Sequence, residues 1–233
     1  MTTLTEADLP LSDFEQVLTT TRAVRKRLDF DRPVDRQVIV DCLDLALQAP
    51  TGGGAEDWRW LVIEDADVRE QLGGIYRRAF EEHVARPLEQ ADHPSTRGRL
   101  RNRDDAKTTK MLEGARHLAH NIHRAPYLVL PCATRPNPAE DPTAGGVVAA
   151  VYGSIFPAVW SFQLGLRSHG LGSLITTLHL HYADEAAELL GIPEGTTQCC
   201  LLPVAHTLGL DFRAAPRRGQ DEVVFWDHWR TDD

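Results

Sequence analysis

The sequence is short of positive charge. Its 25 lysines and arginines stand against 34 aspartates and glutamates, which gives a formal net charge of −9. A nucleic-acid-binding protein needs clustered cations that neutralise phosphates, so this balance argues against that class of partner. The chain has 233 residues, of which 42% are hydrophobic. A chain of this length and composition can bury a sizeable core, and we predict one domain over residues 1–233.

Cysteine is scarce as well. The four cysteines are Cys42, Cys132, Cys199 and Cys200, and their spacing matches no zinc, redox or disulfide motif. The first ten residues are polar and acidic, which is unlike a secretory signal. These features predict a protein of the reducing cytoplasm.

One long apolar run, from Gly145 to Leu166, carries no charge and is long enough to cross a membrane. It also contains Gly153, Ser154 and Pro157, and small residues of this kind allow a neighbouring helix to approach closely. We interpret the run as a buried central helix, with membrane association as the alternative. An uncharged helix must be covered on all sides, so a second subunit is expected to cover part of it.

The remaining patterns predict an α+β fold with helices around a modest sheet. Ser12 to Glu15 reads as a capping box that opens a helix towards Thr21. Apolar residues at helical spacing predict a second helix, with Val38, Ile39, Cys42, Leu45 and Ala46 on one face. Further helices are predicted near 65–84, 106–124 and 184–190, and strands at 58–63, 126–133 and 198–208. Residues of about 75–110 contain a stretch without placeable periodicity, which predicts a lid or excursion.

Two basic clusters are candidate anion sites. The first is Thr21-Arg-Ala-Val-Arg25 followed by Lys26, and the second is the pair Arg217 and Arg218. Guanidinium groups present several fixed donors to phosphate oxygens. Either cluster alone also fits a solvated basic face.

The loop Thr51-Gly-Gly-Gly54 has little side-chain bulk. Consecutive glycines let a backbone approach a ligand closely and direct N–H groups towards it. The loop lacks the ending of a Walker motif, and it follows a helix and precedes a strand, which is the reverse of a dinucleotide fingerprint. A flexible turn is the alternative interpretation.

Taken in order, these motifs resemble those of the nitroreductase-like FMN-dependent oxidoreductases. The resemblance continues through Gly170-Leu-Gly-Ser-Leu-Ile-Thr-Thr177 and Leu189-Leu-Gly-Ile-Pro193, and it closes between Arg217 and Trp226. It implies a nitroreductase-like fold, with a central, mostly antiparallel sheet flanked by helices. It also implies an intertwined homodimer that holds FMN at its interface and packs the long central helix in the dimer core.

The same resemblance implies the residues of the site. Cofactor contacts near the flavin phosphate fall on Arg22, Ala23, Arg25, Lys26, Arg217 and Arg218. Contacts with the flavin ring fall on Thr51, Gly52, Gly53, Gly54 and Glu56 of the partner subunit, and on Ile175, Thr176 and Thr177, with a backbone amide near flavin N5. On the substrate side, Tyr76 and Phe80 are candidate lid aromatics and Asn121 borders the flavin. A core pair at i, i+4 is the alternative for the two aromatics.

Two loop positions depart from the family pattern. Gly54 stands where asparagine is usual, and Glu56 stands where glutamine is usual. A carboxylate near the ring would disfavour an anionic reduced flavin. These positions are where we expect the protein to differ from its relatives.

The resemblance implies that NADPH or NADH reduces the flavin, and that a nitroaromatic, quinone or similar acceptor then oxidises it in ping-pong fashion. The flavin carries the hydride, so no dedicated catalytic side chain is expected. The alternatives are a specialised flavin-dependent dehydrogenase or reductase of a biosynthetic pathway, and a non-catalytic flavin-binding protein. The histidines at 117, 120 and 123 could bind a metal, but no complete ligand motif accompanies them, so we expect no metal.

Overall fold

The computed structural model describes residues 13–86, 105–135 and 145–229. The chain divides into two compact units, of which the larger is Arg22–Leu210 and the smaller consists of Met1–Thr21 and Asp211–Asp233. Ser12 of the predicted capping box and residues 87–104 of the predicted excursion lie outside the described residues. The larger unit contains the sheet and the core.

Helices of the larger unit follow the predicted order. They are α2 (Arg36–Ala46), α3 (Ala66–Phe80), α4 (Asp105–Asn121), α5 (Gly145–Ser168) and α6 (Ala183–Leu190). A single π-helical stretch, Glu81–Ala85, extends α3, and short 3₁₀ turns occur at Gly52–Gly54, Ile122–Arg124 and Leu178–Tyr182. The smaller unit contains α1 (Asp13–Thr20) and α7 (Gln220–Val223).

Local chemistry explains where these helices begin and end. Asp35 caps α2 by accepting a hydrogen bond from the Gln37 backbone N–H, and Asp65 caps α3 by accepting from two backbone N–H groups. Such caps satisfy donors that have no partner inside a helix. Gly191 ends α6 at φ 64°, in the left-handed region that favours glycine.

The sheet is built from antiparallel pairs. Its strands are β1 (Leu28–Asp29), β2 (Trp58–Ile63), β3 (Tyr127–Ala133), β4 (Leu171–Gly172), β5 (Thr197–Gln198) and β6 (Leu202–Thr207). The order is β1-β6-β3-β2, with β4 also paired to β6 and β5 also paired to β3. Every residue of β3 is buried, as expected for a central strand. The predicted mostly antiparallel sheet is therefore confirmed.

The predicted strand at 198–208 is wrong in one respect, because it is interrupted. β5 ends at Gln198 and β6 begins at Leu202. Between them, Cys199 donates its backbone N–H to Pro131, and Leu201 forms an isolated bridge with Thr176. The backbone changes its hydrogen-bonding partner at this point, and no local sequence pattern indicates such a change.

The core of the larger unit lies between the sheet, α2 and α5. Phe162 of α5 is completely buried, and complete burial of such a ring contributes about 1.5–3 kcal/mol. A Cβ on Gly165 would lie 3.3 Å from the Cys42 sulfur, so a glycine suits the close approach of α5 to α2. On the predicted apolar face of α2, Ile39, Cys42 and Ala46 are buried, whereas Leu45 is 52% exposed.

Within the described part of the chain, α5 is the one helix that is long and apolar enough to cross a membrane by length and composition. One of its faces packs in the core, as predicted for a central helix. Some apolar side chains of α5, including Val147 and Trp160, are exposed.

Candidate functional site

Two segments that are far apart in sequence meet at the edge of the sheet. The backbone N–H of Val24 donates to the Ser173 carbonyl at 3.0 Å, and Ala23 forms a parallel bridge with Ser173. The first basic cluster therefore lies beside the segment that continues to Thr177.

Gly172 permits this approach. A Cβ at this position would lie 2.6 Å from Thr207 Cγ2 and 3.1 Å from the Cβ of Val24. Because Thr207 and Val24 are both β-branched, neither side chain can easily move away. The second glycine of the Gly170-Leu-Gly172 motif is thus a packing requirement of the site.

Arg25 and Lys26 differ in their surroundings. Lys26 makes a surface ion pair with Glu113 at 2.7 Å, with more than half of each side chain exposed. Arg25 is half-buried beside Gly114. No hydrogen bond or ion pair joins its guanidinium to another described residue. A half-buried guanidinium with unused donors is suited to an anionic ligand. Arg22, in the same segment, is also half-buried, whereas Ala23 is exposed.

The backbone N–H and carbonyl of Thr176 are both already hydrogen-bonded. Its N–H donates to the Leu201 carbonyl at 3.0 Å, and its carbonyl accepts from the Leu201 N–H at 2.8 Å. A predicted ring-facing amide in this segment must therefore belong to Ile175 or Thr177, both of which are exposed. Thr176 can offer a ligand its side-chain hydroxyl.

Tyr76 and Phe80 lie inside the fold. Each is 2% exposed, so the structure packs them as core residues of α3, and neither is placed at the surface as a lid. The Tyr76 hydroxyl lies 2.8 Å from the Thr176 hydroxyl. Burial raises the pKa of Tyr76, and the nearby Arg25 charge acts in the opposite direction. Tyr76 therefore reaches the site from the core.

The side chain of Asn121 forms two hydrogen bonds at the end of α4. Its amide nitrogen donates to the His117 carbonyl at 2.8 Å, and its amide oxygen accepts from Arg124 at 3.1 Å. The neighbouring histidines have separate surroundings: His117 stacks on Phe30, His120 lies near Glu81, and His123 lies near Glu70. A role for Asn121 towards a substrate stays a prediction.

The glycine loop is attached to α5. The Gly52 N–H donates to the Ser154 hydroxyl at 3.0 Å. Gly53 and Gly54 have φ of 62° and 64°, and Glu56 has φ of 45°. Asparagine tolerates this left-handed region better than most residues do, so the usual asparagine and the present Gly54 suit the same backbone. Glu56 is exposed, and its N–H donates to the Thr51 hydroxyl at 3.3 Å.

Arg217 and Arg218 belong to the smaller unit, where both are exposed. Farther along the same segment, the rings of Phe225 and Trp229 are 4.8 Å apart, and Trp226 is 82% exposed. The predicted contact of the arginine pair with a flavin phosphate stays a prediction.

A charged groove of about 1000 Å³ was not predicted from the sequence. It lies along α3 and α6, where Arg78 pairs with Glu185 and its guanidinium lies 4.2 Å from the centre of the Tyr182 ring. The Tyr182 hydroxyl in turn donates to Glu82. In the sequence, charges spaced four apart on a helix are typical of a solvated face, so they gave no signal of a groove. None of the predicted site residues lines it.

Residues 18–206 match the nitroreductase family, and the chain belongs to that family. The match includes the basic segment, the glycine loop, the central helix and the sheet up to His206.

The individual proteins to which the chain is similar have several different activities. It is 26% identical over 187 residues to an iodotyrosine deiodinase of Drosophila melanogaster; the match covers 79% of this chain but only 59% of that relative. Among solved structures, an iodotyrosine deiodinase bound to FMN and 3-iodo-L-tyrosine superimposes with a TM-score of 0.66 at 22% identity, covering 93% of this chain and 100% of the other. An FMN- and NADPH-dependent nitroreductase from Sphigopyxis sp. strain HMH gives 0.63 at 18% identity, covering 94% and 100%. These structures confirm the predicted nitroreductase-like fold.

Proposed function

We propose that the chain is an FMN-dependent oxidoreductase in which the segment from Arg22 to Arg25 holds the flavin phosphate and residues 175–177 face the flavin ring. The observation that carries the proposal is Arg25, a half-buried cation without a described partner. The Val24–Ser173 hydrogen bond joins the segment of Arg25 to the one that continues to residues 175–177. FMN in the related structures supports the same cofactor here.

The residues present fit such a group. A phosphate needs fixed cationic donors, which Arg22 and Arg25 supply, and a flavin ring needs an exposed backbone edge, which Ile175 and Thr177 supply. When bound, the flavin supplies hydride transfer between a donor and an acceptor. The chain itself binds and orients: Gly172 allows the two segments to pack closely, and the core beneath them excludes water.

We further propose that NADPH or NADH is the donor and that a nitroaromatic, quinone or similar electron-poor compound is the acceptor. Donor and acceptor would use one shared site in turn, which gives ping-pong kinetics. The NADPH-dependent nitroreductase with the same fold supports this assignment.

We propose a homodimer formed through α2 and α5. Five apolar side chains in or next to these helices are 40–52% exposed: Val40, Leu45, Leu47, Val147 and Trp160. Exposed apolar surface can mark an interaction site. Because the glycine loop is attached to α5 at Ser154, a second copy on this face would bring its own loop to the interface. Sedimentation tests this proposal. Wild type should sediment as a dimer and Leu45→Glu as a monomer. Wild-type protein that sediments as a monomer contradicts the proposal.

The cofactor proposal is tested by titrating purified apoprotein with FMN and following the visible spectrum. We expect Arg25→Gln to weaken binding by about 10- to 100-fold, because hydrogen bonds to charged groups contribute about 1.5–3 kcal/mol. Arg36→Gln is the matched control, since Arg36, on α2, is 77% exposed and pairs with Glu64. Protein that binds no FMN contradicts the proposal, and so does equal FMN binding by Arg25→Gln and Arg36→Gln.

A second candidate is reductive deiodination of an iodotyrosine-like compound. The deiodinase from Drosophila melanogaster favours it. Chemically reduced protein should be mixed anaerobically with 3-iodo-L-tyrosine, a nitroaromatic or a quinone, and reoxidation of the flavin followed. Fast reoxidation by 3-iodo-L-tyrosine together with inertness to NADPH and NADH favours this candidate over the first. Flavin binding with no reoxidation by any of the three favours a non-catalytic binder.

A further inference from the structure

Tyr76 connects the core to the site. Its ring is buried in α3, one hundred residues away in sequence from Thr176, and the two hydroxyl oxygens are 2.8 Å apart. The contact lies between a side chain that is 2% exposed and one that is half-buried. Tyr76 therefore reaches the site through its contact with the Thr176 hydroxyl.

The surroundings determine which hydroxyl donates. A buried phenol proton needs an acceptor, because an unsatisfied buried donor costs about 1–3 kcal/mol. Arg25, whose charge acts on Tyr76, has only donors to offer. Within the described residues, the Thr176 oxygen is the hydrogen-bond partner of the Tyr76 hydroxyl. Tyr76 thus donates and Thr176 accepts, which leaves the hydrogen of Thr176 for another acceptor.

Other contacts already restrict Thr176. Its N–H and carbonyl are both bonded to Leu201, so its backbone is held in place. Threonine is β-branched and has few side-chain rotamers. With the backbone held and the oxygen accepting from Tyr76, the hydroxyl has few directions left in which to donate.

We infer that Tyr76 is a positioning residue, which holds the Thr176 hydroxyl as a hydrogen-bond donor towards the bound flavin. The inference rests on the proposed function, since it presupposes that residues 175–177 face FMN. It assigns no catalytic step to Tyr76, which does not itself reach the ligand. Its consequence is that a core residue of α3 sets both flavin affinity and flavin potential.

A double-mutant cycle tests the inference. Y76F keeps the buried ring and removes its hydroxyl, and T176V keeps the shape of the threonine and removes its hydroxyl. FMN dissociation constants and midpoint potentials are measured for wild type, both variants and the double variant. Y127F is the matched control, because Tyr127 is also buried, at 7% exposed, but lies on β3. Thermal unfolding of the apoproteins records the purely structural cost.

We expect Y76F to weaken FMN binding by about three- to tenfold, the size of one neutral hydrogen bond. T176V should do at least as much, and the double variant should match T176V, because Tyr76 acts through Thr176. Y76F should also move the midpoint potential in the same direction as T176V, whereas Y127F leaves both quantities unchanged.

Additive effects of Y76F and T176V, or an unchanged potential in Y76F, overturn the inference while the flavin proposal stands. Wild-type protein that binds no FMN overturns both. T176S extends the test if Y76F is too unstable to measure, since serine keeps the hydroxyl: retained affinity in T176S beside lost affinity in T176V supports the inference. Equal losses in T176S and T176V contradict it.

Discussion

His179 makes the stability of the fold depend on pH in a way that one substitution can isolate. The residue lies in the 3₁₀ turn that follows Thr177, and its ring is completely buried. Neither ring nitrogen has a hydrogen-bond partner in the part of the chain that the structure describes. Burial lowers the pKa of His179 from 6.5 to about 4, because a charged imidazole is poorly solvated there.

The direction of the effect follows from proton linkage. Between pH 6.5 and about 4, the unfolded chain binds a proton at His179 and the folded chain does not. The free energy of unfolding therefore falls as the pH is lowered through this window, and this contribution is fully present above it. The difference between the two pKa values corresponds to about 3 kcal/mol once both states are protonated, and about 2 kcal/mol is lost between pH 7 and pH 5.

Urea unfolding at pH 7, 6 and 5 measures this contribution. His179→Leu removes the titrating group while keeping an apolar side chain in the core, and its stability should fall about 2 kcal/mol less than that of wild type over this range. His169→Leu is the control, because His169 is exposed. Titration of other groups, including His117 and His206, is shared by all three proteins and cancels. Parallel pH profiles for wild type and His179→Leu would refute the reasoning.

Three substitutions test the packing and capping that support the site, each by denaturant unfolding at neutral pH. Gly172→Ala should cost about 1–3 kcal/mol, because its Cβ would lie 2.6 Å from Thr207, and unchanged stability contradicts the close packing. Asp65→Ala should cost about 1 kcal/mol, since the carboxylate accepts from two N–H groups of α3, whereas Asp65→Asn should lose little. Phe162→Ala should cost about 3–5 kcal/mol as a completely buried ring of α5, and a loss below 1 kcal/mol argues against its place in the core.

The elements that could be predicted from the sequence are those fixed by local chemistry. The strand at 58–63 and the helix beginning after Asp65 agree with the structure because a short, mostly apolar run and an N-cap act over a few residues. The glycine that ends α6 is equally local. The family followed from motifs in a fixed order along the chain, and the match over residues 18–206 confirms it.

The parts that the sequence did not reveal depend on long-range contacts. Leu201 breaks the predicted strand because its partner, Thr176, is distant in sequence. Spacing favoured a core position for Tyr76 over a lid, and its burial agrees, but only its contact with the distant Thr176 shows that it also reaches the site. Leu45 fits the apolar face of α2 by spacing, yet it is 52% exposed, because spacing groups residues on one face without showing how far the neighbouring elements cover that face.

The candidate site is held together by three such contacts: Val24 with Ser173, Thr176 with Leu201, and Tyr76 with Thr176. Each is a single hydrogen bond or a short bridge, and a single hydrogen bond contributes about 0.5–1.5 kcal/mol net. None alone can fix the segment from Ser173 to Thr177, so the geometry depends on all three at once and on the absence of a side chain at Gly172. An anion bound by Arg25 would add a fourth link beside the segment, because this half-buried guanidinium has no hydrogen-bond or ion-pair partner among the described residues.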